Sequence, residues 1–113
     1  ILAKDGKFFM VTGAPGGRTI INTVLMTILN VVDFGMNAQE AVDAGRIHHQ
    51  WLPDQISVEE NALPEEVLNT LKSMGHEIHP RSPIGRVEAI IRLPDGNWQG
   101  AADTRGNDAA KGF

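Results

Sequence analysis

Phe8-Phe9-Met10-Val11-Thr12-Gly13-Ala14-Pro15-Gly16-Gly17-Arg18-Thr19-Ile20-Ile21 is the stretch that decides how this chain folds. A short apolar run leads into the glycines, and a long amphipathic run from Thr19 to Phe34 leads out of them. The order predicts strand, tight turn, helix. Such a turn directs bare backbone N–H groups at an anion. It can also stabilise the oxyanion that forms when an acyl group is transferred. A side chain on Gly16 or Gly17 would hold a ligand away from the backbone. A turn that needs glycine only for its backbone angles fits the same letters, so on the pattern alone both readings stand. The two standard phosphate loops do not fit. No lysine follows the glycines, and Pro15 occupies the second glycine position of G-x-G-x-x-G.

The run from Thr19 to Phe34 has helical periodicity. At 100° per residue, Thr19, Asn22, Thr23, Thr27, Asn30 and Asp33 fall within an arc of roughly 140°. Ile20, Ile21, Val24, Leu25, Ile28, Leu29, Val31 and Val32 fill most of the remainder. So wide an apolar face predicts a helix buried between layers, with its nearly uncharged polar stripe against another helix rather than water. Gly35 is its expected C-terminal cap.

Upstream, Asp5-Gly6 signals a hairpin that pairs Ile1-Leu2-Ala3 with residues 7–12. Downstream, Asn37 and Glu40 form a capping box for a short helix that ends at Gly45. Residues 46–51 read as extended, and Gln55 to Glu59 alternate like a strand. Pro64 opens a helix with Leu63, Val67, Leu68 and Leu71 as its buried stripe. Gly75 ends that helix, and His76 to Pro80 form a short strand. Arg86 to Leu93, the turn Pro94-Asp95-Gly96-Asn97, and Trp98 to Ala102 make a hairpin. Residues 105–113 read as a loose polar tail. The sum is an α+β chain with antiparallel hairpins and at least one buried helix.

Composition narrows the function. With 113 residues the chain is one domain or a piece of one. Ten basic and fourteen acidic residues give a net charge of −4, and they are well mixed. Without a basic block, nucleic acid is not an expected partner. With no cysteine, disulfides and thiolate metal sites are excluded. No secretory signal is visible, and Ile20 to Phe34 is too short and polar for a membrane span.

The side chains that usually carry chemistry are poorly arranged for it. His48 and His49 are adjacent in a predicted strand, and His76 and His79 are three apart in another, so each pair faces opposite ways. No metal site is expected. Ser57, Ser73 and Ser82 lack a nucleophile-elbow pattern. Glu59-Glu60 reads as a solvated strand end, and Glu65-Glu66 as the first turn of a helix. Trp51 and Trp98 read as packing residues.

Several segments together resemble the γ-glutamyltranspeptidase family. Gly13-Ala14-Pro15-Gly16-Gly17-Arg18-Thr19-Ile20-Ile21 is similar to its Gly-Ser-Pro-Gly-Gly-x-x-Ile segment. Leu29 to Met36 looks like the end of the family's helix. Ala41-Val42-Asp43-Ala44-Gly45-Arg46-Ile47-His48-His49-Gln50-Trp51-Leu52-Pro53-Asp54 is similar to its Ala-Val-x-x-Pro-Arg-x-His-His-Gln-x-x-Pro-Asp stretch. Leu71 to His76 matches Leu-x-x-x-Gly-His, and Asp103-Thr104-Arg105 resembles Asp-Pro-Arg. Ala14, Gly45 and Thr104 depart from these patterns.

The resemblance implies part of the four-layer αββα sandwich of N-terminal-nucleophile hydrolases. It implies that residues 1–113 are the C-terminal portion of a small subunit. In the family an N-terminal threonine attacks a γ-glutamyl carbonyl, and the acyl group passes to water or an amine. This chain begins with Ile1, and the residues that bind the γ-glutamyl amino and carboxyl groups precede the glycine loop in the family. By motif, Gly16 and Gly17 are the oxyanion-hole and substrate-binding glycines. The expected partners are the large subunit, the N-terminal part of the small subunit and γ-glutamyl compounds. The chain alone is expected to be inactive and to self-associate. A periplasmic or extracellular place is implied if the source is bacterial. A sibling acylase, a polyglutamate-processing enzyme or a non-catalytic scaffold are the alternatives.

Overall fold

The computed structural model describes residues 1–112; Phe113 lies outside the described residues. The chain divides into two compact units, Ile1–Ala44 with Gly85–Phe113, and Gly45–Ile84.

The first unit is a four-stranded antiparallel sheet with two helices on one face. Strands β1 (Leu2–Lys4) and β2 (Lys7–Gly13) form the expected hairpin. Asp5 and Gly6 both have positive φ, 53° and 71°. Those angles match the right-handed twist of the flanking strands. After β2 come a single 3₁₀ turn (Gly17–Thr19), helix α1 (Ile20–Val32) and helix α2 (Ala38–Asp43). The Asn37–Glu40 capping box is formed from both sides. Two further strands, Glu88–Arg92 and Trp98–Ala102, close the sheet. They are the sixth and seventh of the chain, and the former pairs with β2.

The register of β2 shifts midway. Leu2 faces Met10 while Ala3 faces Phe8, so Phe9 is an extra residue. The bulge turns Phe9 and Met10 to the same side. Met10, Val87, Ala89, Ile91 and Ala101 pack there with Ala38 and Val42 of α2, and Phe9, Ile28 and Val31 join them. Met10 is fully buried, and truncating such a residue to alanine costs about 2–5 kcal/mol. The opposite face carries Phe8 and Trp98, with ring centroids 5.0 Å apart. Trp98 is thus half exposed, stacked on one neighbour rather than enclosed.

Helix α1 keeps the threonines of its polar stripe away from water, as expected, but its apolar arc is only partly covered by this chain. Thr19, Thr23 and Thr27 are buried to within 1 % of full burial, whereas Ile21 is 82 % exposed and Leu25 and Val32 are about half exposed. Small threonines let the helix come close to its own unit, Ile28 and Val31 reach the core, and Ile21, Leu25, Leu29 and Val32 look outward. The expected loose tail is also corrected. Arg86 Nε holds Asp108 at 3.0 Å, and Ala110 lies against Gly100.

The second unit contains β3 (Ile47–His48), β4 (Ile56–Val58), α3 (Glu65–Ser73) and β5 (Ile78–Pro80). β3 and β4 are antiparallel, but β4 and β5 are parallel. The crossover through α3 makes that possible, because parallel neighbours need a long connection. Helix α3 stops in a Schellman turn. Gly75 has φ 95°, its N–H donates to Lys72 O, and the His76 N–H donates to Leu71 O.

Glu59 contradicts its reading as a solvated strand end, since it is only 5 % exposed. Its Oε2 accepts the Arg46 N–H at 3.0 Å and its Oε1 accepts the Ile84 N–H at 2.7 Å. Arg46, also buried, donates from Nη1 to Ile84 O at 3.0 Å. One carboxylate therefore ties the beginning of this unit to its end.

Candidate functional site

The glycine turn follows β2 directly and opens α1. Gly16 has φ 144° and ψ 12°, and Gly17 has φ 58°. Both angles lie where side chains are disfavoured. The two glycines differ in their surroundings. A Cβ on Gly16 would sit 2.8 Å from Thr19 Oγ1 and 3.3 Å from Gly85 Cα, whereas a Cβ on Gly17 would meet nothing within 4 Å. Gly16 is packed against its own unit, and Gly17 faces open space.

The backbone donors of the turn are unspent. Neither the Gly16 nor the Gly17 N–H has a protein acceptor among the described residues. The Gly16 carbonyl, by contrast, accepts twice from Thr19, from its N–H at 3.2 Å and its Oγ1 at 3.0 Å. Exposed N–H groups at the start of a 13-residue helix suit a negative charge. The structure thus brings together Gly16 and Gly17, as the sequence suggested, and adds Thr19 and Gly85. The signal for Thr19 was its spacing with Thr23 and Thr27. Gly85 gave no sequence signal beyond being glycine.

Most polar groups of the other motif are spent internally, although the buried His48 Nδ1 has no partner among the described residues. His48 Nε2 pairs with Gln50 Oε1 at 2.9 Å, and His49 Nε2 with Asp54 Oδ1 at 3.1 Å. The Trp51 N–H donates to His49 Nδ1, and Gln50 donates to Leu52 O. Trp51 is 77 % exposed, which corrects its reading as a packing residue. Among the described residues no cluster of histidine, aspartate and glutamate could hold a metal ion. No helix there is long and apolar enough to cross a membrane.

Asp103 and Arg105 form a buried latch in the first unit. Asp103 accepts the Val87 N–H at 2.8 Å and holds Arg105 Nη1 at 3.1 Å. Arg105 also donates to Val42 O and Ala44 O, carbonyls at the end of α2. A guanidinium suits this negative helix end.

The model of the gamma-glutamyltranspeptidase family matches residues 1–113. The chain belongs to the γ-glutamyltranspeptidase family. It is 44 % identical over 108 residues to the glutathione hydrolase proenzyme of Escherichia coli K12, covering 96 % of this chain but 18 % of that relative. Among solved structures, the γ-glutamyltranspeptidase of Helicobacter pylori superposes with a TM-score of 0.89 at 42 % identity. That match covers 94 % of this chain and 59 % of the other. The cephalosporin acylase of Bacillus halodurans gives a TM-score of 0.82 at 27 % identity, covering 97 % of this chain and 22 % of the acylase. The α+β fold is therefore part of the N-terminal-nucleophile hydrolase sandwich, and the chain spans only a fraction of its family relatives' length.

Proposed function

We propose that these residues are the C-terminal portion of the small subunit of an enzyme that transfers or hydrolyses γ-glutamyl groups of glutathione-like amides. Their part in the chemistry is the oxyanion hole. The Gly17 N–H, with that of Gly16, holds the carbonyl oxygen as it gains charge. The nucleophile is a threonine of the parent protein outside these 113 residues, as the family resemblance implies. No metal or organic cofactor takes part in this reading. The observation that carries it is the pair of unspent donors on a glycine turn at the start of α1. Such donors are worth most where they are fixed before charge develops.

The outward face of α1 and the Phe8–Trp98 face of the sheet are where the rest of the parent enzyme packs. Ile21, Val32 and Phe34 are more than half exposed here. The isolated chain is therefore inactive, and it self-associates through these faces. Sedimentation of purified residues 1–113 together with a γ-glutamyl anilide assay tests both statements. A monodisperse monomer would contradict the packing, and saturable release of the anilide would contradict the division of labour.

The acylase match supports a second reading of substrate, an amide other than a γ-glutamyl one. Comparing kcat/KM of the full-length protein on γ-glutamyl and cephalosporin-type amides separates the two.

A further inference from the structure

Thr19, Thr23 and Thr27 recur at one-turn spacing on the buried face of α1, but their hydroxyls are used differently. Thr27 Oγ1 donates back to Thr23 O at 2.9 Å, the ordinary bond of a helical threonine. Among the described residues Thr23 Oγ1 has no hydrogen-bond partner. It lies against Gly85, where an added Cβ would come within 2.5 Å of it. Thr19 Oγ1 alone reaches out to the glycine turn and joins its own N–H on the Gly16 oxygen.

That contact has a directional consequence. The Gly16–Gly17 peptide is planar and trans, so its C=O and its N–H point opposite ways. Two donors that draw the Gly16 oxygen into the first helical turn therefore aim the Gly17 N–H out of it. A peptide between two glycines is also the easiest kind to rotate, because neither flanking residue has a Cβ to resist. Something else must hold it. We propose that Thr19 is a positioning residue of the oxyanion turn, its hydroxyl fixing the direction of the Gly17 N–H. Gly85 provides the floor, since its Cα allows Gly16 no side chain and its own missing Cβ leaves room for Thr23.

The inference rests on the acyl-transfer reading above, and the test separates the two. It uses the full-length protein that carries this segment. Thr19→Val keeps the branched shape and removes the hydroxyl; Thr19→Ser keeps the hydroxyl. Steady-state kinetics on a γ-glutamyl anilide, thermal melting, and relaxation of the ¹⁵N-glycine amide of residue 17 are compared. Thr19→Val lowers kcat about fivefold with KM nearly unchanged, and Thr19→Ser restores it to within about twofold. The Gly17 amide becomes more mobile in Thr19→Val only. A folded Thr19→Val with unchanged kcat and unchanged Gly17 mobility overturns the proposal, as does Thr19→Ser falling as far as Thr19→Val. If Thr19→Val melts early, Thr19→Ala against Thr19→Ser makes the same comparison. If the wild-type protein turns over no γ-glutamyl amide, the acyl-transfer reading fails by itself. The mobility of Gly17 then still decides whether Thr19 holds the turn.

Discussion

The glycine turn and the histidine stretch both resemble motifs of the family, and they spend their polar groups differently. From His48 to Asp54, three of the four imidazole nitrogens, the amide and the carboxylate bond to one another or to nearby backbone, and the buried His48 Nδ1 is left over among the described residues. From Gly13 to Gly17 no side chain offers any chemistry, yet the Gly16 and Gly17 amides are left without an acceptor. Reactive residue types here mostly build structure, and the residues without side chains face outward. The difference teaches that unspent backbone donors on an exposed turn, more than residue type, mark the candidate site.

The comparison breaks if the histidine unit proves catalytic or the turn merely structural. The largest effect is expected at Glu59. Glu59→Ala leaves two buried N–H groups without acceptors, at about 1–3 kcal/mol each. Chemical denaturation of the full-length protein should show that loss. The fraction that stays folded should keep near-normal acylation, and a catalytic defect without a stability defect would blur the division.

At the turn the balance should reverse. Gly17→Val disturbs the N–H direction and fills the open space where a carbonyl oxygen would lie. Losing one oxyanion donor costs about 3 kcal/mol, a hundredfold or more in single-turnover acylation. Valine at φ 58° also lowers stability, by about 1–3 kcal/mol, so acylation is compared per folded molecule, where the loss should remain. Gly16→Ala sharpens the picture from inside the turn. Its Cβ meets Thr19 and Gly85, so stability and turnover should fall together, by about 1–3 kcal/mol in unfolding free energy. The smallest effect belongs to His49→Ala. Its pair with Asp54 is exposed, and such pairs contribute about 0–1 kcal/mol. Turnover should be close to wild type by steady-state assay.

The elements themselves were legible because local rules fix them. Asp5-Gly6, the Asn37–Glu40 box and Gly75 each act within a few residues, and each does what its sequence implies. Partner-dependent features were not legible. Glu59 reads as solvated until Arg46 and Ile84, far apart in sequence, meet its two oxygens. Helix α1 has the expected amphipathic arc, but amphipathicity cannot tell which face meets this chain. The threonine side does, with Ile28 and Val31 beside it, since its small residues permit close approach while Ile21, Leu25 and Val32 stay uncovered. The bulge at Phe9 defeats simple alternation in the same way, because one extra residue exchanges the two faces of the sheet. Of the site, Gly16 and Gly17 could be read from the motif. Thr19 and Gly85 needed three dimensions.

The most direct measurement is a crystal structure of the full-length protein carrying a tetrahedral adduct on its nucleophile. The account predicts the adduct oxygen about 2.7–3.1 Å from the Gly17 nitrogen, with the Gly16 carbonyl still turned toward Thr19. An adduct oxygen bound by other donors, with the Gly17 N–H facing bulk water, would contradict it.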